Sequence, residues 1–204
     1  MPRVTSVKKA RKSQGECGKC PAKIKKGDPY VWWAFRFGGR RVRCAKPECY
    51  PKSSDLTQSA FYGTLYSIEE TVSDAVSAYE EGGEPGDLAE ELRGAAEELR
   101  SLGEECGSSL DNMPEGLQQG DTGQMLENRR DECESKANDL ESAADEAEGI
   151  ELHDDWEAFA EEESLTKKED ESDEDFQSRV ESAMEEANDE ARGSISVDVD
   201  LSIE

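Results

Sequence analysis

The sequence predicts an α+β fold, mostly α, from three observations. Two close cysteine pairs flank an alternating aromatic run near the start. Apolar side chains recur at three- and four-residue spacing over most of the remainder. The final segment alternates apolar residues with Ser or Asp. With 204 residues, 34% hydrophobic and 36% charged, one continuous core is not expected, because too few apolar groups offset the entropy of ordering the chain. Three regions are expected instead: a basic head over 1–54, an acidic helical region over 55–149 and an acidic tail over 150–204.

Charge is divided along the chain. The formal net charge is −26, yet residues 1–52 hold fifteen Lys or Arg against Glu16, Asp28 and Glu48, a net of +12 that leaves −38 for the rest. A basic head attracts polyanions, and an acidic body repels them and can compete for its own head. Abundant acid with little Lys also fits a high-salt host, where repulsion is screened. No apolar run approaches the roughly 18 residues of a membrane span. The basic N-terminal stretch has no hydrophobic run after it, so no signal peptide, no membrane partner and a cytoplasmic location are expected. A single His argues against His-based catalysis and His-rich metal sites.

The head begins with Cys17-Gly-Lys-Cys20 and closes with Cys44-Ala-Lys-Pro-Glu-Cys49, with 23 residues between the pairs. Two short Cys pairs at such a separation form a four-thiolate zinc site, each knuckle bringing two sulfurs to one ion. The alternative, two disulfides of a secreted domain, is disfavoured by the lack of a signal peptide. Four Cys ligands close a tetrahedron and leave no position for an activated water, so one structural Zn2+ is expected.

Between the pairs, Tyr30–Phe37 and Arg40–Cys44 read as strands joined by a two-residue turn at Gly38-Gly39. That turn pairs Phe37 with Arg40, Phe35 with Val42 and Trp33 with Cys44. One face then carries Val31, Trp33, Phe35, Phe37, Val42 and Cys44, expected as a small core beside the metal. The opposite face carries Tyr30, Trp32, Ala34, Arg36, Arg41 and Arg43, with Arg36 across from Arg41, an unfavourable pair without an anion between them. Flat aromatics interleaved with guanidinium groups fit a nucleic acid: Tyr30 and Trp32 stack on bases, and Arg36, Arg41 and Arg43 hold phosphates. A basic arm containing Lys8, Lys9, Arg11 and Lys12 adds backbone contacts. The alternatives are that Trp32 packs on the following helix and the arginines pair with the acidic body, or that the face binds a partner protein.

Pro51 and Ser53-Ser54-Asp55 then mark a helix start. Knuckle, hairpin, second knuckle and helix is the order of a treble-clef or zinc-ribbon module. In outline it resembles the PARP-type zinc finger family over residues 14–66, although that family has His where Cys44 stands and a shorter second spacing. The stretches Val7–Lys12, Cys17–Cys20, Lys26–Cys44 and Ser54–Glu70 resemble small proteins of tailed bacteriophages, over about the first 80 residues. This resemblance implies a phage origin, a metal-binding head and the cytoplasm of an infected host cell.

The acidic region carries coiled-coil-like stripes. Phe61, Leu65, Ile68, Val72, Ala75 and Tyr79 form one. Leu88, Leu92, Ala95, Leu99, Leu102 and Cys106 form the next, after a Gly82–Gly86 break that Asp87 can cap. Leu126, Cys133, Ala137, Leu140, Ala144 and Ala147 form a third. Three such helices are expected as an antiparallel bundle, with 107–123 as one connection. This register sets Cys106 opposite about Glu127, a turn and a half from Cys133, so both are expected as buried free thiols. Thr166–Glu169 and Ser172–Asp175 look like helix starts, and Phe176, Val180, Ala183, Ala187 and Ala191 mark one more helix. Ile195, Val197, Val199, Leu201 and Ile203 alternate as a strand, which needs a sheet edge: the zinc hairpin, a second copy of the chain or a partner.

Together these features predict a zinc-stabilised, non-enzymatic module that binds nucleic acid through the basic, aromatic face. The alternatives are an adaptor that docks on host protein machinery, and an acidic DNA mimic. An enzyme is disfavoured, since no phosphate-cradling Gly loop, nucleophile elbow or open metal position is present. His153, within an acidic run, is expected to be solvated rather than catalytic.

Overall fold

The computed structural model describes residues 1–198 and 200–203. The chain forms two compact units, Met1–Ile68 and Glu69–Glu204.

The first unit holds a three-stranded antiparallel sheet in the order β1-β4-β5, with β1 at Thr5–Val7, β4 at Tyr30–Ala34 and β5 at Arg40–Cys44. A two-stranded ribbon, β2 (Gly15–Glu16) and β3 (Lys23–Ile24), carries the first cysteine knuckle between its strands. Single 3₁₀ turns follow at Pro47–Cys49 and Ser53–Leu56. The expected helix start at Ser53 is therefore one tight turn, and α1 (Ala60–Glu80) begins after it.

The hairpin register differs from the expected one. Tyr30 pairs with Cys44, Trp32 with Val42, Trp33 with Arg41 and Ala34 with Arg40. The loop runs from Phe35 to Gly39, and the Gly38 N–H donates to the Phe35 carbonyl at 3.3 Å. Primed two-residue turns need positive φ, and neither Gly38 nor Gly39 has it. A shift by an odd number of residues exchanges the faces of β5 against β4. Cys44 and Val42 therefore share a side with Tyr30 and Trp32, and Arg41 and Arg43 share one with Val31 and Trp33.

The second unit is helical. Helix α2 (Pro85–Asp111) has Pro85 at its first turn, where the missing N–H costs nothing, and Asp87 beside it near the positive end of the dipole. It packs antiparallel to α4 (Asp121–Glu148). Arg93 pairs with Asp145 at 2.9 Å and with Glu148, and Arg100 with Glu141 at 2.5 Å. Leu92, Leu99, Cys133, Ala137, Leu140 and Ala144 fill the seam. Gly103 faces Cys133 and Gly107 faces Arg130. Cys106 thus lies level with about Arg130, closer to Cys133 than the expected register sets it; both thiols are buried and free. The connection contains a short helix, α3 (Glu115–Gln118).

Helices α5 (Trp156–Glu162) and α6 (Asp173–Gly193) make a smaller cluster around Phe159, Ala160 and Val180. Asp155 and Ser172 cap them by accepting from backbone N–H groups. Thr166–Glu169, expected as a helix start, is not helical. His153 is half-buried, its ring 4.9 Å from that of Phe159 and its backbone bonded both ways to Asn188. That is a packing role.

The C-terminal segment, expected as a strand and as an oligomer edge, is not a strand among its described residues; Val199 lies outside them. Leu201 and Ile203 are buried within the helical unit. Lys136 donates to the Asp200 carbonyl at 2.8 Å, while Asp198 and Asp200 side chains accept from the N–H two residues on. Such local side-chain bonds compete with a strand ladder. Among the described residues, no helix is long and apolar enough to cross a membrane.

Candidate metal centre and cationic surface

The four head cysteines converge. Cys17 and Cys20 sit on the turn between β2 and β3, where Gly15 adopts φ +91° and the Cys17 N–H donates to Ala22 at 2.9 Å. Cys44 ends β5, and Cys49 closes the 3₁₀ turn that its N–H tightens by donating to Lys46 at 3.0 Å. The Gly18 N–H donates to Val42 at 3.0 Å and ties one knuckle to the other's strand. All four Sγ atoms lie within 4.8 Å of one another, with Cys20 and Cys44 sulfurs 3.7 Å apart. An ion bonded to four sulfurs at about 2.3 Å sets them about 3.8 Å apart at the corners of a tetrahedron. The cluster therefore has the size of a metal-holding thiolate site.

Its electrostatics call for a cation. Burial alone raises the Cys17 thiol, but N–H groups of Cys44, Lys19 and Cys20 aimed at its sulfur outweigh that and bring it to about 6. Lys19 and Cys44 donate at 3.5 and 3.3 Å. Burial pushes Cys49 up to about 12, and the three neighbouring sulfurs add to the shift; burial also raises Cys44. The Cys17 thiolate is stabilised by the fold, and Cys44 and Cys49 resist ionising beside it. A divalent ion removes that conflict.

The expected nucleic-acid residues divide into two groups. Lys8, Lys9, Arg11 and Lys12 are exposed, but they are not a free arm. Ala10 between them is buried; its N–H donates to Asp28 at 2.9 Å and its carbonyl accepts from Gly27 at 2.8 Å. This bridge sets the exposed Lys25 and Lys26 beside them, a neighbourhood that linear spacing does not reveal. Arg36 and Arg41 are also exposed, though not across from each other, since Arg41 opposes Trp33.

Tyr30, Trp32 and Arg43 are a different matter. Tyr30 is buried at 7% exposure, and its hydroxyl accepts from Arg40 at 3.1 Å. Trp32 is half-buried against the cysteine cluster, with the Arg40 guanidinium 4.7 Å above its ring. The corrected register turns both toward the metal side and covers them with Arg40, a residue that sequence reasoning passed over, so neither is free to stack on a base. Arg43 forms a two-pronged pair with Asp55, one prong at 2.6 Å, and lies 5.2 Å from the Trp33 ring. It is spent inside the fold, as the alternative reading expected for the arginines, and its carboxylate, at the first residue of the expected acidic region, lies in the same compact unit. No family model, curated protein or solved structure matches this chain.

Proposed function

We propose that the N-terminal unit is a zinc-held module that binds nucleic acid through its phosphates. Zinc is the ion that four thiolates at tetrahedral spacing suit, because it needs no redox change and no particular d-electron geometry. A closed sulfur shell gives the ion a structural rather than a catalytic role. The observation that carries the reading is the exposed set Lys8, Lys9, Arg11, Lys12, Arg36 and Arg41 on a chain of net charge −26. So strong a local reversal of sign favours a polyanion. From the resemblance of the first 80 or so residues to phage proteins we also propose a place in an infected bacterial cell.

The test is the salt dependence of binding by the full, metal-loaded chain, measured by fluorescence anisotropy with a labelled oligonucleotide. Six phosphate contacts give a slope of log Kobs against log salt of about −4 on a single strand. Arg41→Ala should lower the slope by about 0.7. Absence of binding at low salt, or a slope near zero, rejects the reading and leaves a protein partner as the alternative.

A further inference from the structure

Phe37, expected in the core, is 87% exposed at the tip of the β4–β5 loop. The Arg36 guanidinium lies 5.2 Å from the centre of its ring. Arg36 also lines a groove of about 440 Å³ in the same unit, together with Ala34, Phe35, Gln58, Tyr62 and Tyr66. The rings of Tyr62 and Tyr66 stack at 6.0 Å with 26° between their planes. Loop and groove are joined: a Cβ on Gly38 would lie 3.2 Å from the Gln58 amide nitrogen. Among the described residues, no carboxylate lines this groove, and Arg36 and Arg41 have no acidic partner.

We infer that this loop and groove take an unpaired base of single-stranded nucleic acid, with Phe37 stacked on the base and Arg36 and Arg41 on the neighbouring phosphates. The inference rests on the nucleic-acid reading above and specifies its ligand. Three features select this occupant. A ring 87% exposed on a loop tip keeps a π-face open to a base even with Arg36 beside it. Arg36 beside it, and Arg41 5.4 Å from the ring of Phe35 that lines the groove, are uncompensated, which suits a polyanion and not a basic peptide. Base faces are accessible in a single strand and hidden by stacking in a duplex. With Tyr30 buried and Trp32 half-buried under Arg40, Phe37 is the most exposed aromatic among the described residues, and the Gln58 amide offers both a donor and an acceptor for a base edge.

The experiment compares a labelled oligothymidylate with a duplex of equal length, using the full metal-loaded chain. The single strand should bind on the order of tenfold more tightly than the duplex. Phe37→Ala should remove about that factor from single-strand binding, with duplex binding and the salt slope unchanged. Phe37→Trp should keep it. Equal binding of the two oligonucleotides, unchanged single-strand affinity in Phe37→Ala, or a Trp variant as weak as the Ala variant overturns the inference while salt-dependent binding stands. Loss of all salt-dependent binding in the unmodified protein overturns both readings.

Discussion

Removing the metal from the full chain should unfold the cysteine knuckles and spare the helices. The buried cluster around the sulfurs consists of Ala10, Ile24 and Tyr30 besides the cysteines, with Val7, Trp32 and Val42 partly buried against it. Its two large buried side chains, Ile24 and Tyr30, contribute together about 5 kcal/mol of apolar burial. A structural zinc ion in a peptide-sized finger contributes an apparent ~10–16 kcal/mol at neutral pH. The ion therefore outweighs the apolar term by about two- to threefold. The second unit has its own core at Leu92, Leu99, Leu140 and Val180, so it has no need of the metal. Hydrogen exchange read by mass spectrometry, on reduced protein with and without chelator, separates the two. Peptides over 14–24 and 44–49 should exchange at unfolded rates once the metal is gone, and peptides over α2 and α4 should not change. Cys49→Ser should reproduce the pattern. Unchanged protection of both knuckles in metal-free, reduced protein would refute the reasoning, since apolar packing alone would then be holding them.

Three further outcomes follow from particular contacts. Arg43→Ala strands Asp55, whose side chain is 22% exposed, and should lower the stability of the first unit by about 2 kcal/mol in a urea titration; a midpoint equal to that of the unmodified protein contradicts this. Two glycines of α2 should respond with opposite signs: a Cβ on Gly103 meets Cys133 Cβ at 3.1 Å and the Arg130 carbonyl at 3.3 Å, whereas one on Gly94 meets nothing within 4 Å. Gly94→Ala should therefore gain up to about 1 kcal/mol of helix propensity, and Gly103→Ala should lose about 1–3 kcal/mol to overpacking, read from thermal midpoints. Arg179 and the Lys168 N–H hold the Glu171 carboxyl at about 2. Because that lies below the ordinary carboxylate range, the pair stabilises the protein above that range and the contribution fades as pH falls toward 2. A carboxyl carbon titration of Glu171 should show the low midpoint, and Arg179→Met should raise it.

Much of the architecture was legible in the residues. The spacing of Cys17, Cys20, Cys44 and Cys49 was enough to bring four sulfurs to one place, because each knuckle is a local turn whose reach depends on a few intervening residues. The three- and four-residue periodicity of Leu88–Cys106 and Cys133–Ala147 identified α2 and α4, because helical faces repeat within a single segment. Ser172–Asp175 read correctly as a helix start, while Thr166–Glu169, with the same kind of pattern, did not form one. The exposed cations around Ala10 were visible one by one; the backbone bridge from Ala10 to Gly27 and Asp28 that gathers Lys25 and Lys26 beside them was not.

What tertiary structure alone decided was register and company. The residues of β4 and β5 fit either a two-residue or a five-residue loop, and side chains alternate with period two, so a shift by three residues moved Tyr30 and Trp32 onto the metal side and put Phe37 at the loop tip. The alternation of Ile195–Ile203 likewise satisfied a strand, yet a strand needs a neighbour to ladder with, and among the described residues Leu201 and Ile203 are buried without one. Local chemistry set how each segment can fold. Which face it buries depended on the partner it met, and that is a property of the assembled chain.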